Sequence, residues 1–259
     1  MRSNKELFDL TGQVAIVTGG AAGIGLQMSY ALGEAGANLV IAARKLDRCE
    51  ELAKKMEAEL GIKVLPARVD VSKPETIEDF YDAVLHEYGR VDILVNNSGA
   101  TWGAPSLEYP LEGWKKVIET NLTGSWLMMQ KAGQIMARQK YGRIINLASL
   151  AAFVGAPAQV MDTVAYQASK AGIAGLTKDL AVKWAKYNIT VNAIAPGWFP
   201  TKMTAGTLDK SQEIMMQYIP MRRFGGEDEL KGAVLFLASP GASYCTGVVL
   251  SVDGGWVAQ

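Results

Sequence analysis

The amino-acid sequence predicts a doubly wound α/β fold, in which helices cover both faces of a parallel sheet. Three observations lead to this prediction. Short apolar runs alternate with longer stretches of helical period along the whole chain. The short runs are apolar on both faces, as the strands of a buried parallel sheet are. A glycine-rich turn joins the first of these runs to the first helical stretch.

The strand predictions come from the short, apolar, β-rich runs. In chain order, we expect strands at Val14–Thr18, Asn38–Ala43, Lys63–Asp70, Val91–Asn96, Gly142–Ser149, Ile189–Ile194 and Val248–Val252. Strands that alternate with helices in this way are joined by right-handed crossovers, which makes neighbouring strands parallel.

The stretches between the strands have the apolar period of helices. We expect helices at Ile24–Ala35, Leu46–Leu60, Pro74–Tyr88, Leu111–Gln139, Val164–Tyr187 and Asp228–Ala238. Gly36, Gly61 and Gly89 follow three of these stretches, where a terminating glycine is expected. No linker or repeat divides the chain, so we expect one domain over residues 1–259. Pro196–Gly226 interrupts the alternation and predicts a lid over approximately residues 198–226.

Composition excludes several classes of protein. The chain has 26 basic and 26 acidic residues and no basic block, so it lacks the charge pattern of a nucleic-acid-binding protein. It has one histidine, His86, and two distant cysteines, Cys49 and Cys245, so no metal site is expected. Neither a signal peptide nor a membrane span is apparent. We therefore expect a soluble, cytoplasmic protein that acts on a small molecule.

A phosphate-binding turn is predicted where the first strand meets the first helix. Gly19, Gly23 and Gly25 allow backbone N–H groups to approach a pyrophosphate at the positive end of the helix. The spacing is not the usual G-x-G-x-x-G, and the Lys-Ser/Thr pair of a P-loop is absent. An ordinary glycine-rich turn is the alternative interpretation. Its place after the first strand of a βαβ array favours phosphate binding.

The end of the second predicted strand indicates which dinucleotide is bound. An acid at this point accepts the ribose hydroxyls of NAD, whereas an arginine accommodates the 2′-phosphate of NADP. The strand closes with Arg44, and no carboxylate occurs before Asp47. Arg44 is a solvated charge in the alternative interpretation. The missing acid favours NADP(H) over NAD(H).

Candidate acid–base groups lie further along the chain. Tyr166 and Lys170 are four residues apart on a predicted helix and so share one face. A nearby ammonium is expected to lower the pKa of the Tyr166 phenol toward working pH. Ser149 closes a predicted strand at the carboxyl edge, where ligands of such sheets bind. Asn121 lies mid-helix, where asparagine is unfavourable, and could simply bend the helix.

These motifs, taken in order, resemble the short-chain dehydrogenase/reductase family over about Leu10 to Trp256. The matching stretches are Thr18-Gly-x-x-x-Gly-x-Gly25, Asp70-Val71, Asn96-Asn97-Ser98-Gly99, Asn121, Ser149, Tyr166-x-x-x-Lys170, Ile194-Ala-Pro-Gly197 with Thr201, and Asp253-Gly-Gly255. The resemblance implies a Rossmann domain with a seven-stranded sheet, and an enzyme that moves a hydride between nicotinamide and a ketone or secondary alcohol.

The resemblance also implies roles for individual residues. Tyr166 is expected to transfer the proton, Ser149 to orient the substrate oxygen, Lys170 to hold the nicotinamide ribose, and the backbone of Asn121 to anchor a water. Asp70 is expected to bond the adenine, Asn97–Gly99 to flank its ribose, and Thr201 to bond the carboxamide. The expected cofactor-binding set is Gly19, Gly23, Ile24, Gly25, Arg44, Asp70, Val71, Asn97, Gly99, Tyr166, Lys170, Phe199 and Thr201.

Three features depart from the family pattern. Ser98 stands where alanine is commoner, and Phe199-Pro200 precedes Thr201 at the expected pocket mouth. The segment between Ser149 and Tyr166, which includes Pro157–Asp162, is a few residues longer than in most relatives. The lengthened segment leaves the choice of substrate open.

The alternatives differ in what they require. A nucleotide-sensing protein has no need of Ser149, Tyr166 and Lys170 together. A sugar-nucleotide epimerase needs a substrate domain after the sheet. A serine hydrolase needs Gly-x-Ser-x-Gly, which the sequence lacks. We therefore expect an NADP(H)-dependent oxidoreductase.

The substrate prediction depends on the lid. The lid is rich in adaptable apolar side chains, which favour a 3-oxoacyl thioester or similar ketone; packing of the lid itself is the alternative explanation for them. They are Met203, Leu208, Ile214, Met215, Met216, Tyr218, Ile219 and Met221. A polyol or sugar acid, as in gluconate 5-dehydrogenases, is the second candidate, with Gln159, Asp162 and Thr163 as polar groups.

A homotetramer is also expected. The predicted helix Val164–Tyr187 carries more apolar residues than one sheet face requires, namely Ile173, Leu176, Leu180 and Trp184. Relatives in the family commonly pair the equivalent helices. Burial of these residues in the core is the alternative.

Overall fold

The computed structural model of the protein describes residues 1–202 and 204–259. Within these residues, seven parallel strands form one sheet in the order β3-β2-β1-β4-β5-β6-β7. The strands are β1 (Val14–Thr18), β2 (Asn38–Ala43), β3 (Val64–Arg68), β4 (Ile93–Asn96), β5 (Gly142–Leu147), β6 (Ile189–Pro196) and β7 (Val249–Val252). The predicted doubly wound fold is confirmed.

Helices connect the strands and cover both faces of the sheet. They are α1 (Asn4–Leu7), α2 (Gly23–Glu34), α3 (Leu46–Leu60), α4 (Pro74–Tyr88), α5 (Leu111–Ile118), α6 (Ser125–Gln139), α7 (Val164–Trp184), α8 (Ala205–Tyr218) and α9 (Lys231–Ala238). None of the helices in the described residues is both long and apolar enough to cross a membrane.

Two apolar cores lie on opposite faces of the sheet. One face packs against α2, α3 and α9, and the other against α4, α6 and α7. Successive strand residues alternate between the two cores, so that Ile41 belongs to the first and Ala42 to the second. This arrangement explains why the strands are apolar on both sides in the sequence.

The predicted helix Leu111–Gln139 is interrupted by a wider turn. Glu119–Gly124 forms a π-helical segment between α5 and α6. A Cβ on Gly124 would lie 2.4 Å from the carbonyl oxygen of Val71. The glycine therefore lets this segment pack closely against the loop after β3. π-Segments are frequent at functional sites, and this one contains Asn121.

The apolar residues of α7 that were expected at the surface are part of the core. Ile173 and Leu180 are 1% and 4% exposed, and Leu176 and Trp184 pack against the second core. The prediction that these four residues form apolar surface beyond what the core needs was therefore wrong, because the sheet and α6 already cover them. Val182 on the same helix is 81% exposed.

The carboxyl ends of the strands meet at one edge of the sheet. The chain crosses from β2 and β3 on one side of β1 to β4 on the other, so the switch point lies between β1 and β4. In doubly wound sheets, ligands bind in the crevice at this point. The predicted site residues follow β1, β2, β3, β4, β5 and β6 and are therefore brought to one edge.

Candidate active site

The glycine-rich turn after β1 is built for a close approach of backbone groups. Gly19 and Gly23 have φ of +65° and +55°, which side-chain-bearing residues rarely adopt. A Cβ on Gly25 would lie 2.2 Å from the carbonyl oxygen of Gly19 and 2.4 Å from the Nδ2 of Asn97. The turn thus presents the N-terminus of α2 at the switch point, a suitable place for a pyrophosphate.

Gly25→Ala is expected to destabilise the fold and weaken nucleotide binding. The added methyl group must displace backbone at Gly19, and overpacking of this kind costs about 2–3 kcal/mol. Denaturant unfolding and titration with nucleotide would measure both effects. Gly232→Ala in α9 is the matched control, because no atom lies within 4 Å of its added Cβ. Equal stability of the two variants would contradict the close-approach argument.

Hydrogen bonds of Thr18 connect the turn after β4 to the end of β1. Its Oγ1 accepts hydrogen bonds from the backbone N–H groups of Asn97, at 3.0 Å, and Ser98, at 2.9 Å. The Asn97 side-chain amide donates in return to the carbonyl oxygen of Thr18 at 2.9 Å. The sequence interpretation gave Thr18 no role of its own, although a polar residue at the end of an otherwise apolar strand was the available signal.

The expected adenine-binding residues lie beside the crevice. The Oδ1 of Asp70 accepts hydrogen bonds from the Ser72 backbone N–H and hydroxyl, at 3.2 and 2.7 Å, which fix the carboxylate after β3. Val71 is buried against the π-segment. Arg44 is exposed immediately after β2. Within the described part of the chain, no carboxylate forms a salt bridge with it.

Residues after β6 meet the glycine-rich turn. A Cβ on Gly23 would lie 3.4 Å from the Cγ2 of Thr201, so these two predicted cofactor residues are neighbours. The hydroxyls of Thr201 and Thr204 lie 3.1 Å apart, and the Thr204 hydroxyl donates to the carbonyl oxygen of Phe199 at 2.6 Å. Phe199 is buried and belongs to the same core as Ile24.

Ser149, Tyr166 and Lys170 come together at the carboxyl end of β5. Ser149 lies two residues beyond the strand, and its Oγ accepts a hydrogen bond from the Ala151 N–H at 3.2 Å. The Ser149 side chain also lies near enough to the Tyr166 phenol to lower its pKa. The buried Lys170 Nζ donates to the carbonyl oxygen of Leu147 at 2.6 Å and lies 5.5 Å from the centre of the Tyr166 ring.

Burial dominates the protonation behaviour of this group. It raises the pKa of the Tyr166 phenol, and the nearby Ser149 side chain opposes that shift. The sequence analysis expected Lys170 to lower this pKa. That expectation was wrong, because desolvation of the phenolate outweighs the other effects. Burial likewise lowers the pKa of Lys170 to about 8. A phenolate and an ammonium would each offset the desolvation cost of the other.

Asn121 acts through its side chain in a way that the sequence did not indicate. Its Oδ1 accepts from the Ala100 N–H at 2.7 Å, and its Nδ2 donates to the Ala100 carbonyl at 2.9 Å. The same Nδ2 donates to the Ser169 hydroxyl at 3.0 Å, which in turn donates to the carbonyl oxygen of Tyr166 at 2.7 Å. Asn121 therefore ties the loop after β4 to α7.

Gly99 and Ser169 also lie at this contact between the loop after β4 and α7. A Cβ on Gly99 would lie 3.5 Å from the Oδ1 of Asn121 and 4.0 Å from the Nζ of Lys170, so the loop after β4 borders this lysine. Ser169 was missed by the sequence interpretation. Its position beside Lys170 was the only available signal, since its hydrogen bonds join elements far apart in the chain.

The lid contains a helix whose apolar face packs inward. The sequence predicted an irregular stretch, but α8 occupies much of it. Leu208, Met215 and Ile219 are buried in a cluster with Leu150 and Trp256. The alternative of internal packing therefore holds for these three residues. Of the other apolar lid residues, Ile214, Tyr218 and Met221 are exposed, Met216 is partly buried, and Met203 lies outside the described residues.

Comparisons with known proteins find similar sequences along almost the whole chain. Residues 19–257 match the family model described as enoyl-(acyl carrier protein) reductase. The chain is similar to the 3-oxoacyl-[acyl-carrier-protein] reductase FabG of Aquifex aeolicus, with 36% identity over 95% of this chain and 98% of the relative. It is 39% identical to 2-dehydro-3-deoxy-D-gluconate 5-dehydrogenase of Bacillus subtilis, over 98% of both chains.

A solved structure shares the whole fold. The gluconate 5-dehydrogenase of Burkholderia cenocepacia, in complex with NADP and tartrate, matches with a TM-score of 0.94 and 32% sequence identity. The match covers 99% of this chain and 100% of that chain. The similarity therefore includes the sheet and the elements that bear the candidate site.

Proposed function

The chain belongs to the short-chain dehydrogenase/reductase family, and from this premise we propose that it is an NADP(H)-dependent enzyme that interconverts a ketone and a secondary alcohol. The observation that carries the proposal is the group formed by Ser149, Tyr166 and the buried Lys170 at the carboxyl edge of the sheet. The family acts on CH–OH and C=O groups, so the nucleotide-sensing alternative is set aside.

The residues at the switch point fit a dinucleotide. The close approach of Gly25 to Gly19 leaves a turn without side chains at the N-terminus of α2, which suits the pyrophosphate. Asp70, Asn97 and Gly99 would hold the adenosine, and Thr201 the nicotinamide carboxamide. When bound, the cofactor supplies or accepts the hydride.

The protein's own groups handle the proton. In reduction, the Tyr166 hydroxyl donates its proton to the developing alkoxide oxygen, and Ser149 donates a hydrogen bond to the same oxygen. The two groups would place the carbonyl at one point, because the Ser149 side chain lies near the Tyr166 phenol. The Lys170 ammonium stabilises the phenolate that remains. The hydrogen bonds of Asn121 and Ser169 fix the positions of the backbone at Tyr166 and at Gly99 relative to each other.

Arg44→Ala is expected to reduce the preference for NADP over NAD by about tenfold or more, since a charge-assisted contact with the 2′-phosphate is lost. Ala43→Asp, with Arg44 intact, should act in the same direction by repelling the phosphate. The ratio of kcat/KM for the two cofactors measures both effects. A wild-type enzyme that already favours NAD would contradict the proposed cofactor.

For the substrate, we propose a 3-oxoacyl thioester or similarly apolar ketone. The segment after Ser149 supports this choice because it directly follows that serine in the chain and is rich in apolar residues. Leu150, Val154, Ala156, Val160 and Met161 belong to the cluster that also contains the buried lid residues. Several relatives with similar sequences are 3-oxoacyl-carrier-protein reductases.

A sugar acid or polyol is the second candidate. Asp162, Thr163 and Gln167 are only partly buried, and the Thr163 hydroxyl lies 3.0 Å from the Gln167 side-chain oxygen. These groups lie in or next to the lengthened loop, and hydroxyl-rich substrates need such partners. The Bacillus subtilis and Burkholderia cenocepacia relatives are named for gluconate-derived substrates.

One experiment separates these candidates. Values of kcat/KM for an acetoacetyl thioester and for 5-ketogluconate are compared with NADPH and with NADH. We expect the thioester with NADPH to give the largest value. A preference of about tenfold or more for the ketogluconate would overturn the acyl proposal and leave the oxidoreductase class intact.

Assembly and location stay predictions. We propose a homotetramer, supported by exposed apolar side chains on two neighbouring helices, Val182 of α7 and Leu111 and Trp114 of α5. Light scattering would measure the mass. We also propose a lid over residues 198–226 within the single domain of residues 1–259, and a cytoplasmic location for the enzyme.

A further inference from the structure

Arg68 occupies the end of β3, directly beside the end of β2. The register pairs its Cα with that of Ala43, the residue before Arg44. The next hydrogen bond joins the N–H of Val69 to the carbonyl oxygen of Ala43 at 3.1 Å. Neighbouring strands lie about 4.8 Å apart. Arg68 ends β3 and Arg44 directly follows β2, so both arginines lie at the carboxyl edge of the sheet, at the ends of neighbouring strands.

The direction of Arg68 follows from the alternation of strand residues. Leu39 and Ile41 of β2 belong to the core beneath α2 and α3. Ala67 and Val69, on either side of Arg68, belong to the opposite core. Arg68 therefore shares the face of Leu39, Ile41 and Ala43, the face against which α3 packs.

The arginines at this edge form no ion pair in the described residues, although the carboxylate of Asp47 lies in the same first turn of α3 as Arg48. Arg44, Arg48 in the first turn of α3, and Arg68 are all exposed. Among the residues that the structure describes, none of the three has a carboxylate within 4.0 Å. Neighbouring cations repel one another, and the positive end of α3 adds to the unfavourable field. A bound dianion would remove this repulsion.

We propose that Arg68 is a second binding residue for the 2′-phosphate of NADP(H), and that it determines cofactor choice together with Arg44. The proposal rests on the proposed NADP(H) function. A phosphate monoester carries up to two negative charges and three acceptor oxygens, so one arginine does not saturate it. Arg68 contacts the phosphate alone, and its loss leaves the binding of the unphosphorylated ribose unchanged.

The test is titration calorimetry with two fragments of the cofactor, 2′,5′-ADP and 5′-AMP, which differ only in the 2′-phosphate. Arg68→Gln and Arg44→Gln are compared with the wild-type protein. Arg138→Gln is the matched control, since Arg138 is exposed near the end of α6, at the amino edge of the sheet. It removes the same charge from the opposite edge.

We expect Arg68→Gln to weaken 2′,5′-ADP binding by about five- to tenfold and 5′-AMP binding by less than about twofold. The control should change neither, and the effect should shrink as salt screens the charges. An unchanged ratio of the two affinities in Arg68→Gln, with a reduced ratio in Arg44→Gln, would overturn the role of Arg68 alone. Equal weakening of both fragments would also overturn it. Equal affinity of the wild-type protein for both would overturn the NADP preference and this inference together.

Discussion

Tyr166→Phe is expected to lower kcat by about 10²–10⁴-fold, the range for loss of a general acid–base group. The substitution removes one hydroxyl and keeps the ring, which packs beside the buried Lys170. Binding of NADP(H) should change by less than about twofold, because the residues proposed to hold the phosphates and adenosine lie in the glycine-rich turn and at the strand ends. Single-turnover kinetics and nucleotide titration would separate the two effects.

Tyr187→Phe is the matched control. Tyr187 lies on the same stretch of chain just beyond α7 and is 37% exposed, far from the serine–lysine group in sequence. It should retain wild-type turnover. Near-normal turnover of Tyr166→Phe would contradict the proposed role of the phenol. Another group would then have to transfer the proton to or from the substrate.

Lys170→Met is expected to abolish most activity and yet stabilise the fold. Turnover should fall by about 10²-fold or more, and cofactor affinity should fall with it, because the same ammonium is proposed to hold the nicotinamide ribose. Stability should rise at pH 7 by about 1–2 kcal/mol. Replacing the buried cation by an apolar side chain removes its desolvation cost. We expect this cost to exceed the free energy lost with the hydrogen bond to the Leu147 carbonyl.

The free energy of unfolding should also depend on pH, and the pKa of Lys170 determines the direction of that dependence. Burial lowers the pKa of Lys170 to about 8 from 10.5, so the unfolded chain binds more protons between these values. The contribution of Lys170 to the free energy of unfolding therefore increases from pH 8 to pH 10.5 in the wild-type protein and is absent in the variant. Catalysis that requires the ammonium should decline as the pH rises through about 8.

Lys183→Met provides the control for Lys170→Met. Lys183 lies on the same helix, is largely exposed and pairs with Asp179 at 2.7 Å. Exposed pairs of this kind contribute at most about 1 kcal/mol. Its loss should leave activity and pH dependence unchanged. Lower stability of Lys170→Met at pH 7 would show that the Leu147 hydrogen bond outweighs the cost of burying the charge.

Local sequence patterns determined the architecture and the location of the site. Apolarity on both faces marks a strand of a covered parallel sheet, and glycines mark the helix ends, so β1, β2, α3 and α4 were predicted with their observed bounds. Because parallel strands end at one edge, the motifs after β1, β4 and β5 had to converge there. The sequence also supplied the residue types that proton transfer needs.

Only the tertiary structure decided which side chains pair across elements. The chain Asn121–Ser169–Tyr166 joins a π-segment to α7, and periodicity carries no information about a hydrogen bond between residues 48 positions apart. The inward packing of Met215 and Ile219, and of Ile173 and Leu180, depended on neighbours contributed by other elements. The low pKa of Lys170 likewise results from burial among those neighbours. Local patterns encode which face of an element is buried, whereas packing of the whole chain decides what that face contacts.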